Sequence, residues 1–422
     1  MVDADQTFVI VGGGLAGAKA AETLRAEGFT GRVILIGEEV DPPYERPPLS
    51  KGYLTGKEPR GKAFVHESAW YAVQDIELHL GQPVTAIDRT ARTVRLGDGT
   101  SIGYDKLLLA TGAEPRRLDI PGNDLAGVHY LRRLVHADRL QGTLAALGRD
   151  NGHLVIAGAG WIGLEVAAAA RGYGAEVTVV EADPTPLHRV IGPELGQLFT
   201  DLHAERGVRF RFGTRLTEIT GQDGMVLAAR TEDGDEHPAH AVLVAVGATP
   251  CTALAENAGL ALVDRAHGGG IAVDASLCTS DPDIYAAGDV AAAEHPLLHA
   301  RLRVEHWANA LNGGPAAARA MLGQDVSHDR VPYFYSDQYD LGMEYSGWAP
   351  PGSYDQVVLR GDAGKREFIA FWLKDRRVLA GMNVNVWDVT PAIQDLVRSR
   401  TPVDTEALAD PATPLQDVLP HP

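Results

Sequence analysis

A chain of 422 residues is too long for one compact core, and roughly two or three domains are expected. Its hydrophobic content, 45%, is ordinary for a globular protein, and no apolar run approaches the roughly 18 residues that span a bilayer. The formal charge of −18 argues against nucleic acid or an anionic membrane as a partner, and the start Met1-Val2-Asp3-Ala4-Asp5 is acidic, unlike a signal peptide, so a cytoplasmic protein is expected.

In chain order, strand Thr7–Val11 leads into helix Gly14–Glu27 and strand Arg32–Gly37. A stiff proline-rich excursion follows at Asp41–Lys51, then strands at Ile76–Leu80 and Val84–Asp88, a hairpin of Thr93–Leu96 and Ser101–Tyr104, and a buried strand at Lys106–Ala110. The plan then repeats. Strand Leu154–Ala157 precedes helix Gly163–Gly172 and strand Glu176–Val180, and the pair Leu216–Gly221 and Met225–Thr231 precedes buried strand Ala241–Val246. Val246-Gly247-Ala248-Thr249-Pro250 echoes Thr111-Gly112-Ala113-Glu114-Pro115, which reads as a duplicated domain. Strand Ile271–Val273 and helix Ala308–Leu322 come next. From Val326 aromatics cluster, then strands Gln356–Arg360, Glu367–Leu373 and Arg377–Asn383 alternate before a helix near Thr390–Arg400. The tail from Thr401 is expected to be loosely ordered.

Two glycine turns carry the chemistry. Gly12-Gly13-Gly14-Leu15-Ala16-Gly17 and Gly158-Ala159-Gly160-Trp161-Ile162-Gly163 each follow an apolar strand and open a helix. Each is followed by an acidic residue, Glu38 or Glu181, at the end of the next strand, roughly 20 residues on. Glycines there let backbone N–H groups reach a pyrophosphate, and the helix dipole favours the anion. The carboxylate is placed to accept hydrogen bonds from a ribose. At the second turn Glu181 favours NADH over NADPH, since it would repel a 2′-phosphate; His188 and Arg189 are the cations that could offset it. Two dinucleotide sites imply a hydride passed between them. Cys251 and Cys278 are the only cysteines and form no C-x-x-C, which excludes a local dithiol and a cysteine-built metal or iron–sulfur site. No metal site is expected.

Gly12–Gly17, Arg46-Pro47-Pro48-Leu49-Ser50-Lys51, Ala110-Thr111-Gly112, Gly158–Glu165 and Ala286-Ala287-Gly288-Asp289 occur in an order and spacing that resembles the oxygenase-coupled ferredoxin reductases, the class of the putidaredoxin and aromatic-ring dioxygenase reductases. These are FAD-dependent pyridine nucleotide oxidoreductases. The resemblance implies an α/β fold of two Rossmann-like dinucleotide-binding domains, glutathione-reductase-like, plus a small C-terminal α+β domain. The implied boundaries are 1–114 and 248–325 for a discontinuous FAD domain, 115–247 for the NAD domain and 326–422 for the C-terminal domain.

By the same resemblance FAD belongs to the first turn, with Gly12, Gly14, Leu15, Ala16, Gly17, Glu38, Ala110, Thr111, Gly112 and Gly288. Asp289 would open a helix and bind the ribityl or pyrophosphate part. Arg46 and Pro47 would pack on the flavin ends, Val84 would touch adenine through its backbone, and Arg132 would lie near the phosphates or ribityl. Glu305, His306 and Trp307 would run under the isoalloxazine. NADH belongs to Gly158, Gly160, Ile162, Gly163, Glu181 and Gly247. Lys51 would sit beside the flavin N5 edge, and Glu165 would face the nicotinamide and pair with it. Tyr333 and Tyr335 stand where several relatives carry tryptophan; core packing is their expected role.

The reaction implied is hydride transfer from NADH to FAD, then single electrons to a separate iron–sulfur ferredoxin that feeds a cytochrome P450 or a Rieske oxygenase. Basic residues in Arg301–Arg303, Lys365-Arg366 and Lys374–Arg377 are candidates for docking it. The alternatives are a rubredoxin reductase or other NADH-dependent flavoprotein reductase, and a redox-responsive interaction protein of the apoptosis-inducing-factor kind.

Overall fold

The computed structural model of the chain describes residues 5–419. Residues 1–4, read above as an acidic start, and the last three residues of the tail lie outside them. The chain divides into two compact units. One contains the chain up to Glu45, Gly61–Glu114 and Thr249–Tyr333; the other contains Arg46–Arg60, Pro115–Ala248 and the chain from Phe334 onward.

In the first unit Thr7–Val11 lies at the centre of a five-stranded parallel sheet. It pairs with Arg32–Gly37 on one side and Lys106–Leu109 on the other, with Ile76–Leu80 and Ile284–Ala286 at the edges. The three inner strands are near-continuous apolar runs because both faces of a parallel sheet are covered there, whereas edge strand Ile76–Leu80 carries Glu77 and His79. Val9, Ile10, Val33, Ile34, Leu35 and Leu107–Leu109 have no exposed surface. Helix Leu15–Ala26 covers the sheet and packs closely on helix Trp307–Met321. Small residues allow that approach: a Cβ added to Gly314 would fall 2.2 Å from the Ala16 carbonyl oxygen. Small sheets of Val84–Asp88, Thr93–Leu96 and Ser101–Gly103, and of Ile271–Val273, Ala291–His295 and Ala300–Arg303, complete the unit.

The second unit repeats the parallel sheet. His153–Ala157 pairs with Glu176–Glu181 and Ala241–Val244, and Val208–Phe212 and Val128–His129 form the edges. Helix Trp161–Tyr173 follows the central strand. A further five-stranded sheet runs in the order Tyr333–Gln338, Leu341–Gly347, Arg377–Val384, Glu367–Lys374, Gln356–Asp362. Helix Thr390–Ser399 buries Ile393, Leu396 and Val397 against it. This is the expected α/β architecture with a C-terminal α+β part.

Three expectations need correction or addition. The segment from Thr401 to Leu419 is packed rather than loose. Val403, Leu408, Leu415 and Val418 are buried, Asp404 caps helix Thr405–Ala409, and the Arg360 guanidinium donates to the carbonyls of Leu408, Asp410, Pro411 and Thr413. Asp289 does not open a helix. Gly288–Val290 is a single 3-10 turn, because Ala291 at once pairs with Ile271 in a parallel ladder. Helices Leu134–Arg149 and His188–Glu205, the latter broken at Gly192, were not anticipated. Among the described residues no helix is long and apolar enough to cross a membrane.

Candidate functional site

In the first unit the predicted motifs meet at the carboxyl ends of the parallel strands, where ligands bind in open α/β sheets. Gly12 has φ +126°, and a Cβ there would lie 2.1 Å from the Ala110 carbonyl oxygen. A Cβ on Gly17 would lie 2.1 Å from the Gly12 carbonyl oxygen, so the turn and helix Leu15–Ala26 touch backbone to backbone. Gly14, the residue before the helix, faces open space: nothing lies within 4 Å of a Cβ placed there, and no side chain caps the helix. The first N–H groups of that helix have no intrahelical acceptor.

The other first-unit residues surround this cradle. Gly288 packs 3.2 Å from the Ala16 side chain, measured from an added Cβ. Ala110 N–H donates to the Val11 carbonyl, the Thr111 hydroxyl to the Cys251 carbonyl, and Cys251 N–H to the Gly112 carbonyl. Glu38 is exposed at the end of strand Arg32–Gly37, and Gln82 N–H, bonded to the Gly37 carbonyl, carries the chain to Val84. His306 precedes helix Trp307–Met321, the Trp307 indole donates to Glu45 at 3.1 Å, and Glu305 takes the Arg303 guanidinium.

The second turn repeats the physics in the second unit. Gly158 has φ +100° and would place a Cβ 2.4 Å from the Ala245 carbonyl oxygen, while Gly163 packs on Gly158. Gly160 again faces open space. The turn forms one wall of a cavity of about 540 Å³. Glu181 is fixed at its rim: one carboxylate oxygen accepts from Ala159 N–H at 2.6 Å, the other from Asp183 N–H at 2.9 Å. Arg189 is held by both carboxylate oxygens of Asp183, at 2.7 and 3.1 Å. Gly247, at φ +98°, accepts from Arg116 N–H and also lines the cavity. Arg116, Arg117 and Arg215 line it too, and motif reading missed them because they belong to separate loops. Ile162 is 44% exposed beside the turn.

Arg46, Pro47, Lys51 and Arg132 fall in the second unit. The Arg46 guanidinium donates to the Arg132 carbonyl. Lys51 Nζ lies 2.7 Å from Glu165 Oε1, so the predicted pair is formed. Glu165 is 4% exposed on helix Trp161–Tyr173. Its carboxylate also accepts from the hydroxyls of Ser50 and, at 2.7 Å, Ser336. A buried carboxylate is stable only when paired and hydrogen-bonded in this way. The Lys51 ammonium stands 5.3 Å over the Tyr335 ring, and Phe334 stacks on Tyr345.

Residues 6–314 match the pyridine nucleotide-disulphide oxidoreductase family and residues 333–419 the reductase C-terminal family. The chain belongs to the pyridine nucleotide-disulphide oxidoreductases. It is 39% identical to the anthranilate 1,2-dioxygenase system ferredoxin–NAD(+) reductase component of Burkholderia cepacia, over 98% of this chain and 99% of that one. The solved covalent putidaredoxin reductase–putidaredoxin complex matches with TM-score 0.93 and 35% identity, covering 99% of this chain and 98% of that one. The ferredoxin reductase for the CYP199A2 system of Rhodopseudomonas palustris matches with TM-score 0.92 and 36% identity, covering 99% and 100%.

This reductase uses FAD and NADH. Its residues fit both. Gly14 and Gly160 leave space over two helix N-termini where a side chain would stand, which suits a pyrophosphate. The Trp161 indole N–H, buried in the cavity wall, has no hydrogen-bond partner among the described residues.

Proposed function

We propose that this flavoprotein takes a hydride from NADH and passes the electrons singly to an iron–sulfur ferredoxin serving a cytochrome P450 or a Rieske oxygenase. Bound FAD supplies the hydride acceptor and the one-electron donor. The observation that carries the reading is the pair of glycine cradles together with the Lys51–Glu165 pair, in a chain without a C-x-x-C dithiol. The relatives named for a dioxygenase and for a CYP199A2 system support the choice of acceptor.

In this reading segments 1–114 and 248–325 hold FAD, 115–247 hold NADH, and 326–422 form the C-terminal domain. The first turn binds the FAD pyrophosphate and Glu38 its ribose, with Ala110–Gly112, Gly288 and Asp289 closing the cradle. Arg46, Pro47, Val84, Arg132 and Glu305–Trp307 complete the flavin contacts. Lys51 holds positive charge at the flavin edge, and Glu165 orients it and faces the nicotinamide.

Glu181 selects NADH: its carboxylate is fixed at the turn, and Asp183 engages the guanidinium of Arg189. The expected ratio of kcat/KM for NADH over NADPH is about 10²-fold; a preference for NADPH contradicts this role. The candidate docking cations are already engaged. Arg366 pairs with Glu205, Lys374 with Asp355 and Arg301 with Glu294, while Arg376 and Arg377 donate to backbone carbonyls. Exposed pairs of this kind exchange readily with a partner's charges.

Cytochrome c reduction by NADH tests the acceptor. It should depend on added iron–sulfur ferredoxin. Rates indifferent to every ferredoxin, or matched by rubredoxin, overturn the assignment.

A further inference from the structure

Glu165 lies at the end of a longer hydrogen-bonded chain. Its carboxylate accepts only, so the Ser336 hydroxyl donates to it. Ser336 Oγ in turn accepts from Gln338 Nε2 at 3.0 Å. That orients the amide, and Gln338 Oε1 faces His203 Nε2 at 2.8 Å. The proton of the ring must then sit on Nε2, leaving Nδ1 bare to accept from the Tyr339 hydroxyl at 3.3 Å. Ser336 and His203 are wholly buried and Gln338 is 1% exposed. Burial pushes the His203 pKa down to about 4, so the ring is neutral. The outer end is anchored as well: the Arg206 guanidinium lies 5.3 Å over the Tyr339 ring and pairs with Asp340 at 2.8 Å.

Every donor in this chain points toward Glu165. One carboxylate charge thus polarises a serine, an amide, an imidazole and a phenol, drawn from a strand, a helix and the turn that follows the strand. The amide of Gln338 exchanges its protons far less readily than a hydroxyl or imidazole, so the chain suits holding a charge better than carrying a proton. Resting on the reading of Lys51–Glu165 given above, we propose that Gln338 and His203 are positioning residues for hydride transfer. Through Ser336 they fix the Glu165 carboxylate, and with it the Lys51 ammonium.

Gln338→Met keeps the side-chain length and removes both polar ends. In rapid-mixing reduction of the FAD-loaded protein by NADH, its limiting rate should fall roughly 5- to 20-fold, with the NADH dissociation constant within about twofold of wild type. Ser336→Ala should fall alike, and the double variant no further, because Gln338 acts through Ser336. Ser336→Thr, which keeps the hydroxyl, should recover most of the rate. Effects that multiply, or a Gln338→Met rate equal to wild type while Glu165→Gln is slow, overturn the proposal alone. A wild-type rate for Glu165→Gln overturns instead the reading on which it rests.

A second measurement needs no turnover. Nitrogen NMR of histidine-labelled protein should show His203 as the Nε2–H tautomer, its resonance moved by Ser336→Ala two hydrogen bonds away. An unmoved resonance overturns the chain. Should Gln338→Met fail to accumulate, His203→Phe fills the same space and should slow reduction roughly 2- to 5-fold; an unchanged rate counts against the proposal.

Discussion

Gly14→Val is expected to purify as a folded but colourless protein, and Gly160→Val as a yellow one that NADH does not reduce at ordinary concentrations. The two positions are the clean probes because neither carries backbone strain. Gly14 has φ −95° and Gly160 φ −76°, conformations open to any residue, and nothing lies within 4 Å of a Cβ at either. Neither helix has a side-chain cap to lose. A branched side chain there costs the fold little and stands where a pyrophosphate must approach backbone N–H groups. Affinity for the dinucleotide should fall by at least about 10²-fold, near 3 kcal/mol. Gly12→Ala is a poor substitute, since its Cβ collides with the Ala110 carbonyl at 2.1 Å and a φ of +126° is strained for alanine. Absorbance at the flavin band and circular dichroism read the result. Colour kept in Gly14→Val, or NADH reduction kept in Gly160→Val, counts against the assignment of that turn.

The second large effect concerns the buried ion pair. Lys51→Met and Glu165→Gln should each slow flavin reduction by roughly 10- to 100-fold while leaving NADH affinity nearly unchanged. Stability should respond differently. Glu165 is 4% exposed and the Lys51 side chain 15%, so removing one partner leaves a buried group unmatched, at about 3–5 kcal/mol. The double variant Lys51→Met with Glu165→Leu removes both charges and should melt above Lys51→Met. Yet it should reduce no faster than either single variant. A double variant that recovers the rate would show that the pair serves packing alone.

What was legible in the sequence follows from locality. The inner parallel strands are near-continuous apolar runs because they are covered on both faces, and Gly12, Gly17, Gly158 and Gly163 sit at close approaches that only glycine meets. Helix Leu134–Arg149 also had its signal, an apolar series at Leu134, Ala137, Leu140, Leu144 and Leu147. Helix His188–Glu205 was masked by Gly192 and Pro193, where the backbone leaves the helical region. The Ser336–Gln338–His203 chain could not be read locally. On strand Tyr333–Gln338 the inward positions are Phe334, Ser336 and Gln338, while the charged Asp337 faces out. A polar residue on an inward face looks like the wrong face until its partner, over a hundred positions away, is in place. The packed tail depends likewise on Arg360 gathering carbonyls that no periodic pattern announces.

On the proposed function, one hydride from NADH leaves the protein as two single electrons. Anaerobic mixing of the FAD-loaded protein with limiting NADH and excess oxidised ferredoxin tests it most directly, with the iron–sulfur absorbance counting the product. About two ferredoxins should be reduced per NADH, and none with Gly160→Val. A flavin reduced by NADH that leaves the ferredoxin oxidised would contradict it.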